Sequence, residues 1–415
     1  MKKLNLFILI SFFLGICSCN EEEILIHNDD IYPDSTTNDS LFFRSEADAV
    51  FTAINALSEI YPNDKRVSQP KNYLKVKNVN SIKSNNSSTS NNLGFYIINF
   101  EDGGFAMIPN DTRATEIYAY SDKGSLQLGV NDNVDYYFSL ANDYLNNEIE
   151  NSERIIPNIP ITPIPDPNDP RNYALVYHGG HYCHKVPVSE TTIGSNDYLL
   201  ITEWHQGGPY NYFCIDSNNS RCSAGCVAIA LAQIMAYHKK PLSYNSHTYL
   251  WDLITQTSTL LPYSEAAISA AELIYDIGIA AGSNYLVGYN GATIDGASCA
   301  LSTFGYNNTK SDYSFSEIVY NIDLRRPCFV RGDNNTSNGG HAWVIDGYKS
   351  TSKIYKYYIQ NTLEYCSTET KTESYVHCNW GEGGTANGFY LDMDFNDING
   401  NNFSNNLQLI HNIYQ

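Results

Sequence analysis

The sequence predicts an α+β fold made of two modules, and three observations support this class. Two apolar segments with helical character, Cys226–Lys240 and Glu265–Ala281, precede strand-like segments that gather towards the end of the chain. Six of the 15 prolines fall between Pro157 and Pro170, a run that predicts an extended spacer between modules. Hydrophobic residues make up 42% of the 415 residues, enough for a sizeable core on each side of that spacer.

Composition and charge exclude several classes of protein. Only 17% of the residues are charged and the net charge is −20, so the surface repels phosphate backbones and anionic lipid. We therefore expect no nucleic-acid binding. After the first twenty residues, no apolar run reaches the roughly 20 residues that a membrane-spanning helix needs. Contact with a membrane is expected only through an N-terminal lipid anchor.

The N-terminus predicts export. Residues 1–18 have the layout of a signal peptide, with two lysines ahead of a mostly apolar stretch. Cys19 follows a small residue, which resembles the lipobox of bacterial lipoproteins, in which the cysteine becomes lipidated. An ordinary secretory signal that is cut nearby is the alternative. Residues 19–39 are polar and predict a tether, so we expect a cell-envelope lipoprotein at the outer membrane or surface, whose C-terminal module can be released outside the cell.

Eight cysteines follow the signal peptide, too few in a chain of this length for a disulfide scaffold. Cys214 and Cys222 lie close together and could pair, but spacing alone cannot give the connectivity. If one thiol has to stay free for chemistry, pairing of all eight is excluded.

The chain divides into residues 40–155, a small α+β domain; residues 156–196, a proline-rich linker and activation region; and residues 197–415, a larger domain. The elements predicted for the small domain are a helix capped by Ser45, a loop over Ser81–Asn92, strands over Phe95–Phe100 and Phe105–Ile108, and a helix over Val134–Ile149. Strands of the larger domain are predicted over Trp343–Tyr348, Lys353–Gln360 and Phe389–Met393. The small domain holds no cluster of Cys, His and acidic residues, so its expected role is binding, folding assistance or inhibition.

Cys226 is the candidate nucleophile. Ala224 and Gly225 place it in the first turn of an apolar helix that Pro241 ends, where free N–H groups and the helix dipole favour a thiolate. A cysteine in that position can have its pKa lowered below the free value of about 8.5. A packed, unreactive cysteine is the alternative until a base is found.

His341 is the candidate base. Two glycines precede it and let another segment approach closely, and the alternating strand after it would hold the imidazole rigidly. His238 stands at the far end of the cysteine helix, about three turns away, too far to reach the thiol. His377 competes with His341, but it stands only two residues before Asn379 and would be an awkward partner for that amide. A histidine of the core or the surface is the alternative for His341.

Three further residues complete the pattern. Asn379 can accept a hydrogen bond from the second imidazole nitrogen, and Trp380 can shield that bond from water. Gln206 can donate its amide to a tetrahedral oxyanion together with the backbone N–H of Cys226, a contribution of about 3 kcal/mol. The order Gln, Cys, His, Asn is the one that papain-like hydrolases use.

The segments that carry these residues resemble streptopain-type cysteine peptidases, with gaps, from about Leu199 to the C-terminus. The matching motifs are Gln206–Asn211, Gly225–His238, Glu272–Ile279, Phe304–Asn307, Gly339–Gly347 and Asn379–Gly381, and Phe95–Asn110 with Tyr120–Asp122 resembles the propeptide of that family. The resemblance implies an α+β, papain-like catalytic domain, in which a central helix bearing the cysteine packs against an antiparallel sheet. It also implies a small α+β propeptide domain that folds on the enzyme and blocks its cleft.

Carried over residue by residue, the resemblance implies an endopeptidase made as a zymogen, with these roles: Cys226 as nucleophile, His341 as base, Gln206 in the oxyanion hole, Asn379 and Trp380 behind the histidine, and Gly340 in the substrate cleft. It implies polypeptide substrates, the chain's own propeptide as an intramolecular inhibitor, and neither metal nor cofactor. It also implies a preference for bulky apolar side chains two residues upstream of the cut bond. Glu382 departs from the pattern, because the family has a second aromatic residue there, and Gly288–Ile294 matches the family's substrate segment only loosely.

Maturation is expected between about Pro157 and Asn196, by the enzyme itself, because proteases cut exposed, extended joints. Three alternatives stay open. The cluster His178, His181, Cys183 and His184 could ligate a transition metal. The chain could instead be a catalytically inactive surface lipoprotein that binds without cutting. It could also be another Cys–His amidase or acyl transferase, for example one that acts on peptidoglycan.

Overall fold

Antiparallel pairing dominates the fold, and one sheet joins the two modules. The computed structural model describes residues 43–60, 75–83, 93–129, 132–151, 175–178, 181–288, 290–333, 340–392 and 407–415, all within one compact unit, Leu41–Gln415. The predicted signal peptide, Cys19, the tether and the proline run lie outside the described residues.

The described part of the N-terminal module combines two helices with four strands. Its elements are, in order, α1 (Glu46–Ile60), β1 (Val76–Lys83), β2 (Gly94–Phe100), β3 (Phe105–Pro109), β4 (Ala119–Ser121) and α2 (Asp132–Asn151). Every residue of β2, β3 and β4 is buried, and α1 packs against β2 and β3. The helices and the strand pair agree with the sequence prediction, whereas β1 extends to Lys83, into the stretch predicted as a loop.

Within its described residues, the C-terminal module carries five α-helices, a short 3-10 helix (Tyr285–Val287), the rest of the large sheet and a separate two-stranded sheet of Ser243–Tyr244 and His247–Thr248. Its elements are β5 (Leu175–His178), β6 (His181–Asn196), α3 (Cys226–His238), β7 (Ser243–Tyr244), β8 (His247–Thr248), α4 (Trp251–Ile254), α5 (Glu265–Ala280), α6 (Ile294–Thr303), β9 (Asn307–Asp312), α7 (Phe315–Asp323), β10 (Cys328–Asp333), β11 (Gly340–Ile359), β12 (Tyr365–Asn379), β13 (Gly388–Leu391) and β14 (Gln408–Tyr414). This mixture confirms the predicted α+β class. In the ranges that the structure describes, no helix combines the length and the apolar character needed to cross a membrane.

The sheet follows the order β1-β2-β3-β4-β13-β12-β11-β10-β14-β9, and β5 and β6 join it through β11. β11 has 20 residues; its first part pairs with β10, its later part pairs with β6, and β12 lies along its other edge. The two strands predicted over Trp343–Tyr348 and Lys353–Gln360 are parts of this single strand. α3 is apolar on every side and packs against β11 and α5, so the helix that begins at Cys226 lies in the core.

Residues 181–196, which the sequence analysis placed in the activation region, form strand β6. This strand pairs with β11 from Tyr348↔Asn196 to Ile359↔Cys183. Its two threonines, two valines and one isoleucine suit a strand. The partner strand is distant in the sequence, so local pattern alone could not reveal the pairing.

Candidate active site

The nucleophile helix begins as the sequence predicts. Cys226 is the first residue of α3 and is partly buried, and Gly225 before it has φ 91°. A Cβ atom at Gly225 would lie 2.1 Å from the backbone oxygen of Asn290. Both the positive φ and this close approach require glycine at position 225.

Hydrogen bonds with two other segments, Gln206–Asn211 and the one that carries Tyr285, fix the loop ahead of Cys226. The backbone N–H of Ala224 donates to the backbone oxygen of Gln206 (2.9 Å), and the Tyr285 hydroxyl donates to the backbone oxygen of Ala224 (2.8 Å). Asn211 Nδ2 donates to the backbone oxygen of Cys222 (2.7 Å). Both end residues of the motif Gln206–Asn211 therefore bond to the loop that precedes the nucleophile.

The pKa of the Cys226 thiol is shifted in the direction opposite to the prediction. Burial raises the pKa of Cys226, while the backbone N–H groups of Ala342 and Val227 and the charge of Arg331 lower it. Burial has the largest effect, so the pKa stays above the ordinary thiol value instead of falling below it. The effect of Ala342 on this pKa and the packing of α3 against β11 indicate that the start of β11, where His341 lies, is near Cys226.

His341 is partly buried and lies opposite Gly332 of β10. The Tyr136 ring, from α2 of the N-terminal module, covers Gly332 so closely that a Cβ there would lie 2.4 Å from the ring. The same ring packs on Trp343 of β11, with 6.2 Å between centroids. α2 thus places an aromatic side chain beside the candidate base. Gly340, the predicted cleft residue, begins β11.

Asn379 is buried, and its amide faces α3. Its Oδ1 accepts from Gln233 Nε2 (3.1 Å) and from the backbone N–H of Gly381 (3.2 Å), while its Nδ2 donates to the backbone oxygen of Thr202 (2.7 Å). The amide of Asn379 is therefore bonded to Gln233, Gly381 and Thr202, partners that the local sequence pattern does not indicate. Support of the imidazole of His341 by Asn379 stays a prediction.

Trp380 lies in an aromatic cluster that both modules build. Its ring centroid is 5.0 Å from Trp343, 5.0 Å from Tyr390 and 6.5 Å from Tyr137 of α2. The position of Trp380 next to Trp343 suits a residue that keeps water away from the start of β11.

Gln206 has both ends of its side-chain amide in hydrogen bonds. Ser223 Oγ donates to Gln206 Oε1 (3.0 Å), and Gln206 Nε2 donates to Glu382 Oε1 (3.2 Å). Glu382, the residue that departs from the family pattern, therefore contacts the candidate oxyanion donor. Ser223 and Glu382 were not identified from the sequence as neighbours of Gln206.

The N-terminal module is joined to the C-terminal module through β4 and β13. Tyr120 pairs with Phe389 across these strands and its ring stacks on that of Phe389, with centroids 5.5 Å apart. The backbone N–H of Leu391 donates to the backbone oxygen of Tyr118 (2.7 Å). The same sheet therefore carries the candidate base on β11 and, two strands away, the attachment of the N-terminal module.

His377 has structural partners. Its Nδ1 lies 2.7 Å from Oδ1 of the fully buried Asp346, and its ring stacks on Tyr198. Cys214 and Cys222 are free thiols in the structure. Within the described residues, no group of His, Cys, Asp and Glu side chains is arranged to hold a metal ion.

Comparison with known proteins identifies both modules. Residues 204–390 match the Peptidase C10 family, and residues 45–149 match the Spi protease inhibitor family. The streptopain of Streptococcus pyogenes is 25% identical over 340 residues, which cover 71% of this chain and 73% of that protein. A solved fragment of prointerpain A from Prevotella intermedia covers 81% of this chain and 99% of its own, with 18% identity and a TM-score of 0.53. At that identity the structural likeness concerns the fold alone.

Proposed function

The chain belongs to the Peptidase C10 family of streptopain-like cysteine peptidases, and we propose that it is an exported endopeptidase that activates itself. It carries an N-terminal domain of the Spi inhibitor type, as a zymogen does. The observation that carries the proposal is the environment of the Cys226 thiol at the start of α3. The backbone N–H of Ala342, the residue after His341, acts to lower the pKa of this thiol, and the backbone oxygen of Gln206 accepts from Ala224, two residues ahead of it.

The proposed reaction is an acyl transfer in two steps. His341 takes the proton of the Cys226 thiol, and the sulfur attacks the peptide carbonyl carbon. The backbone N–H of Cys226 and the amide of Gln206 donate to the tetrahedral oxyanion. Protonated His341 then gives its proton to the leaving amine, which leaves an acyl-enzyme. Water, deprotonated by His341, hydrolyses this thioester and restores the free thiol.

Inhibition by the N-terminal module is supported by where α2 lies. Tyr136 occupies the space over Gly332, opposite His341, and packs on Trp343. A polypeptide that approached His341 from this side would have to displace the ring. The module therefore acts as an intramolecular inhibitor as long as β4 stays paired with β13.

We place the activating cut ahead of Leu175, within the predicted activation region. β6 pairs with β11 along most of its length, and β5 pairs with β6, so removal of these strands would uncover an edge of the sheet. A cut before Leu175 leaves both strands with the peptidase. The lipid expected at Cys19 would stay with the N-terminal module, and the catalytic domain would be released from the cell envelope.

Mass spectrometry of the full chain in reducing buffer tests the proposal. The wild type should shorten by roughly 150–175 residues, in keeping with the domain division, and Cys226→Ala should stay intact. The shortened form should hydrolyse casein. A wild type that stays intact and inert towards casein, or one that releases muropeptides instead, would contradict the proposal. N-terminal sequencing locates the cut, and a cut inside Phe95–Ile108 would argue against the inhibitory role of the module.

The lipid anchor has its own test. The full chain expressed with its N-terminus should partition into detergent and incorporate labelled palmitate, and Cys19→Ala should do neither. Equal labelling of the two proteins would remove the anchor from the proposal.

A further inference from the structure

The amide of Gln206 is held by two side chains of different character. Ser223 Oγ lies 3.0 Å from Oε1, and Glu382 Oε1 lies 3.2 Å from Nε2. We propose that Glu382 is a positioning residue, which fixes the Gln206 amide so that its second N–H can donate to the tetrahedral oxyanion. The proposal rests on the function proposed above and deepens it.

Glu382 reaches Gln206 because its backbone is fixed. It forms an isolated antiparallel bridge with His205, and the backbone N–H of Gly383 donates to the backbone oxygen of Trp204 (3.0 Å). Three neighbouring glycines with φ between 68° and 79° shape the turn, namely Gly381, Gly383 and Gly384. The turn therefore fixes the backbone of Glu382 beside His205, from where its side chain reaches Gln206.

Gln206 is fixed to the nucleophile loop in the same way. Its backbone oxygen accepts from Ala224 (2.9 Å), two residues before Cys226. Ser223 lies in the same loop, and its Oγ also accepts from the backbone N–H of Gly225 (3.4 Å). Movement of the amide relative to the sulfur is thus limited to rotation of the Gln206 side chain.

The hydrogen-bonding chemistry of Ser223 and Glu382 determines how the Gln206 amide is oriented. The two ends of a carboxamide have nearly the same shape, and a serine hydroxyl can donate or accept, so Ser223 alone does not determine which end faces it. A carboxylate can only accept, so Glu382 requires the NH2 group on its side. One amide hydrogen is then bound to Glu382, and the other remains available for a substrate oxygen.

The negative charge of Glu382 has an opposing effect, because an anion near a developing oxyanion disfavours it. Glutamine at position 382 keeps an acceptor oxygen without the charge, whereas alanine removes both. If positioning dominates, Glu382→Gln should keep much more activity than Glu382→Ala.

The test compares two reactions of the same thiol. Peptide hydrolysis passes through an oxyanion, whereas alkylation of Cys226 by iodoacetamide is a displacement at a saturated carbon and forms none. Zymogens of Glu382→Ala, Glu382→Gln, Gln206→Ala and the double variant Gln206→Ala/Glu382→Ala are processed by immobilised wild-type enzyme. Glu364→Ala, an exposed carboxylate of β11–β12, is the matched control.

We expect Glu382→Ala to lower kcat by about tenfold with little change in KM, and to change the alkylation rate by less than about twofold. Glu382→Gln should keep at least about a third of the wild-type kcat, and Glu364→Ala should match the wild type. In the Gln206→Ala background, loss of Glu382 should have no further effect on kcat, because Glu382 acts through that amide.

Three outcomes would overturn the inference while leaving the peptidase assignment intact: a wild-type kcat in Glu382→Ala, independent effects in the double variant, or a parallel fall of kcat and alkylation rate. The last result would mean that Glu382 only supports the fold of the loop. A wild-type chain without peptidase activity would overturn the inference together with the proposed function.

Discussion

The thiol of Cys226 is subject to two opposed influences. A position at the start of α3 and N–H groups from Val227 and Ala342 favour the thiolate, whereas burial favours the neutral thiol and has the larger effect. The full-length chain therefore holds its nucleophile mainly as a neutral thiol at pH 7. This state suits a zymogen, because a neutral thiol attacks carbonyl carbons poorly.

Alkylation kinetics can measure this state. Because the pKa of Cys226 is raised in the full-length chain, its rate of reaction with iodoacetamide should keep increasing above about pH 9. Peptide mapping separates this label from that of the exposed Cys299, which reports the reagent itself. A rate that is already constant below about pH 8 would contradict the assigned environment.

Gly225 gives a second prediction for a single residue. Gly225→Ala should lower kcat/KM at least about tenfold, because a Cβ would meet the backbone oxygen of Asn290 and the nucleophile loop would have to shift. Gly282→Ala is the control: Gly282 has φ +95°, but nothing lies within 4 Å of its Cβ position. Similar losses in both variants would show that positive φ alone, and not the contact with Asn290, determines the effect.

Single residues also show how far the sequence could lead. Cys226, His341 and Gln206 could be singled out because their types and order are specific to one chemistry. Glu382 and Ser223 could not be linked to Gln206, because those contacts join positions 176 and 17 residues apart and depend on folded turns. The partners of Asn379 were missed for the same reason, since Gln233 looked like one polar residue in a buried helix.

Among the elements, α2 makes the contact that most directly concerns the site. Tyr136 lies over Gly332 of β10 and against Trp343 of β11, and Tyr137 packs on Tyr390 with 4.6 Å between ring centroids. Two consecutive tyrosines thus face the sheet that carries the candidate base, Tyr136 at β10 and β11 and Tyr137 at β13. Pattern alone predicted the helix but not this role, because aromatic residues on a helix usually indicate ordinary core packing.

Gly332→Ala should loosen α2, because the added methyl group would enter the space of the Tyr136 ring. In the Cys226→Ala background, which prevents cutting, hydrogen exchange of the α2 amides should increase by about tenfold, equivalent to about 1.4 kcal/mol.

Two further variants make this result specific. Phe51→Ala, an exposed residue of α1, should leave the exchange of α2 unchanged. In a Tyr136→Ala chain the ring is absent, so adding Gly332→Ala should increase exchange no further. Unchanged exchange in Gly332→Ala alone would mean that the ring does not hold α2 in place.

At the scale of the whole molecule, one partly buried lysine links three parts of the fold. Lys353 Nζ lies 3.1 Å from Glu373 of β12, 3.6 Å from Glu190 of β6 and 3.6 Å from Glu116 of the N-terminal module. Burial acts to lower the pKa of Lys353, but the three carboxylates outweigh it and hold the pKa above its ordinary value. The contribution of this lysine to stability is therefore complete at neutral pH and is lost only as the pH rises through the raised value.

Lys353→Met should lower the free energy of unfolding of the full chain by about 2 kcal/mol, because it removes the nearer of the two lysines from the buried carboxylate of Glu373 and leaves only Lys371 Nζ, 4.0 Å away. Chemical denaturation of the Cys226→Ala chain at pH 7 measures this change. Lys77→Met, an exposed lysine of β1, should stay within about 0.5 kcal/mol of the parent. Equal stability of the two variants would show that the ion pairs are screened by solvent.

The α+β fold class was predictable from the sequence, but the order of the strands in the sheet was not. Helical and alternating patterns gave the α+β class and most elements, because those signals are local. The order of the sheet depends on pairings between distant segments, such as β6 with β11 and β4 with β13, which no local signal contains. The sequence pattern predicts two strands here because polar residues separate the two apolar halves of β11. In the structure those polar residues pair with β6 and β12, so the strand is continuous.

The pairing of β4 with β13 determines which surface of the C-terminal module the proposed cut would expose. If the N-terminal module leaves after the proposed cut, the backbone groups of β13 that bonded to it would lose their partners, and the rings of Phe389 and Tyr390 would become accessible to water. An exposed edge strand of this kind can pair with other chains and promote aggregation. If the proposed cut occurs, the exposed edge of β13 would be a binding site to which the released N-terminal module could return.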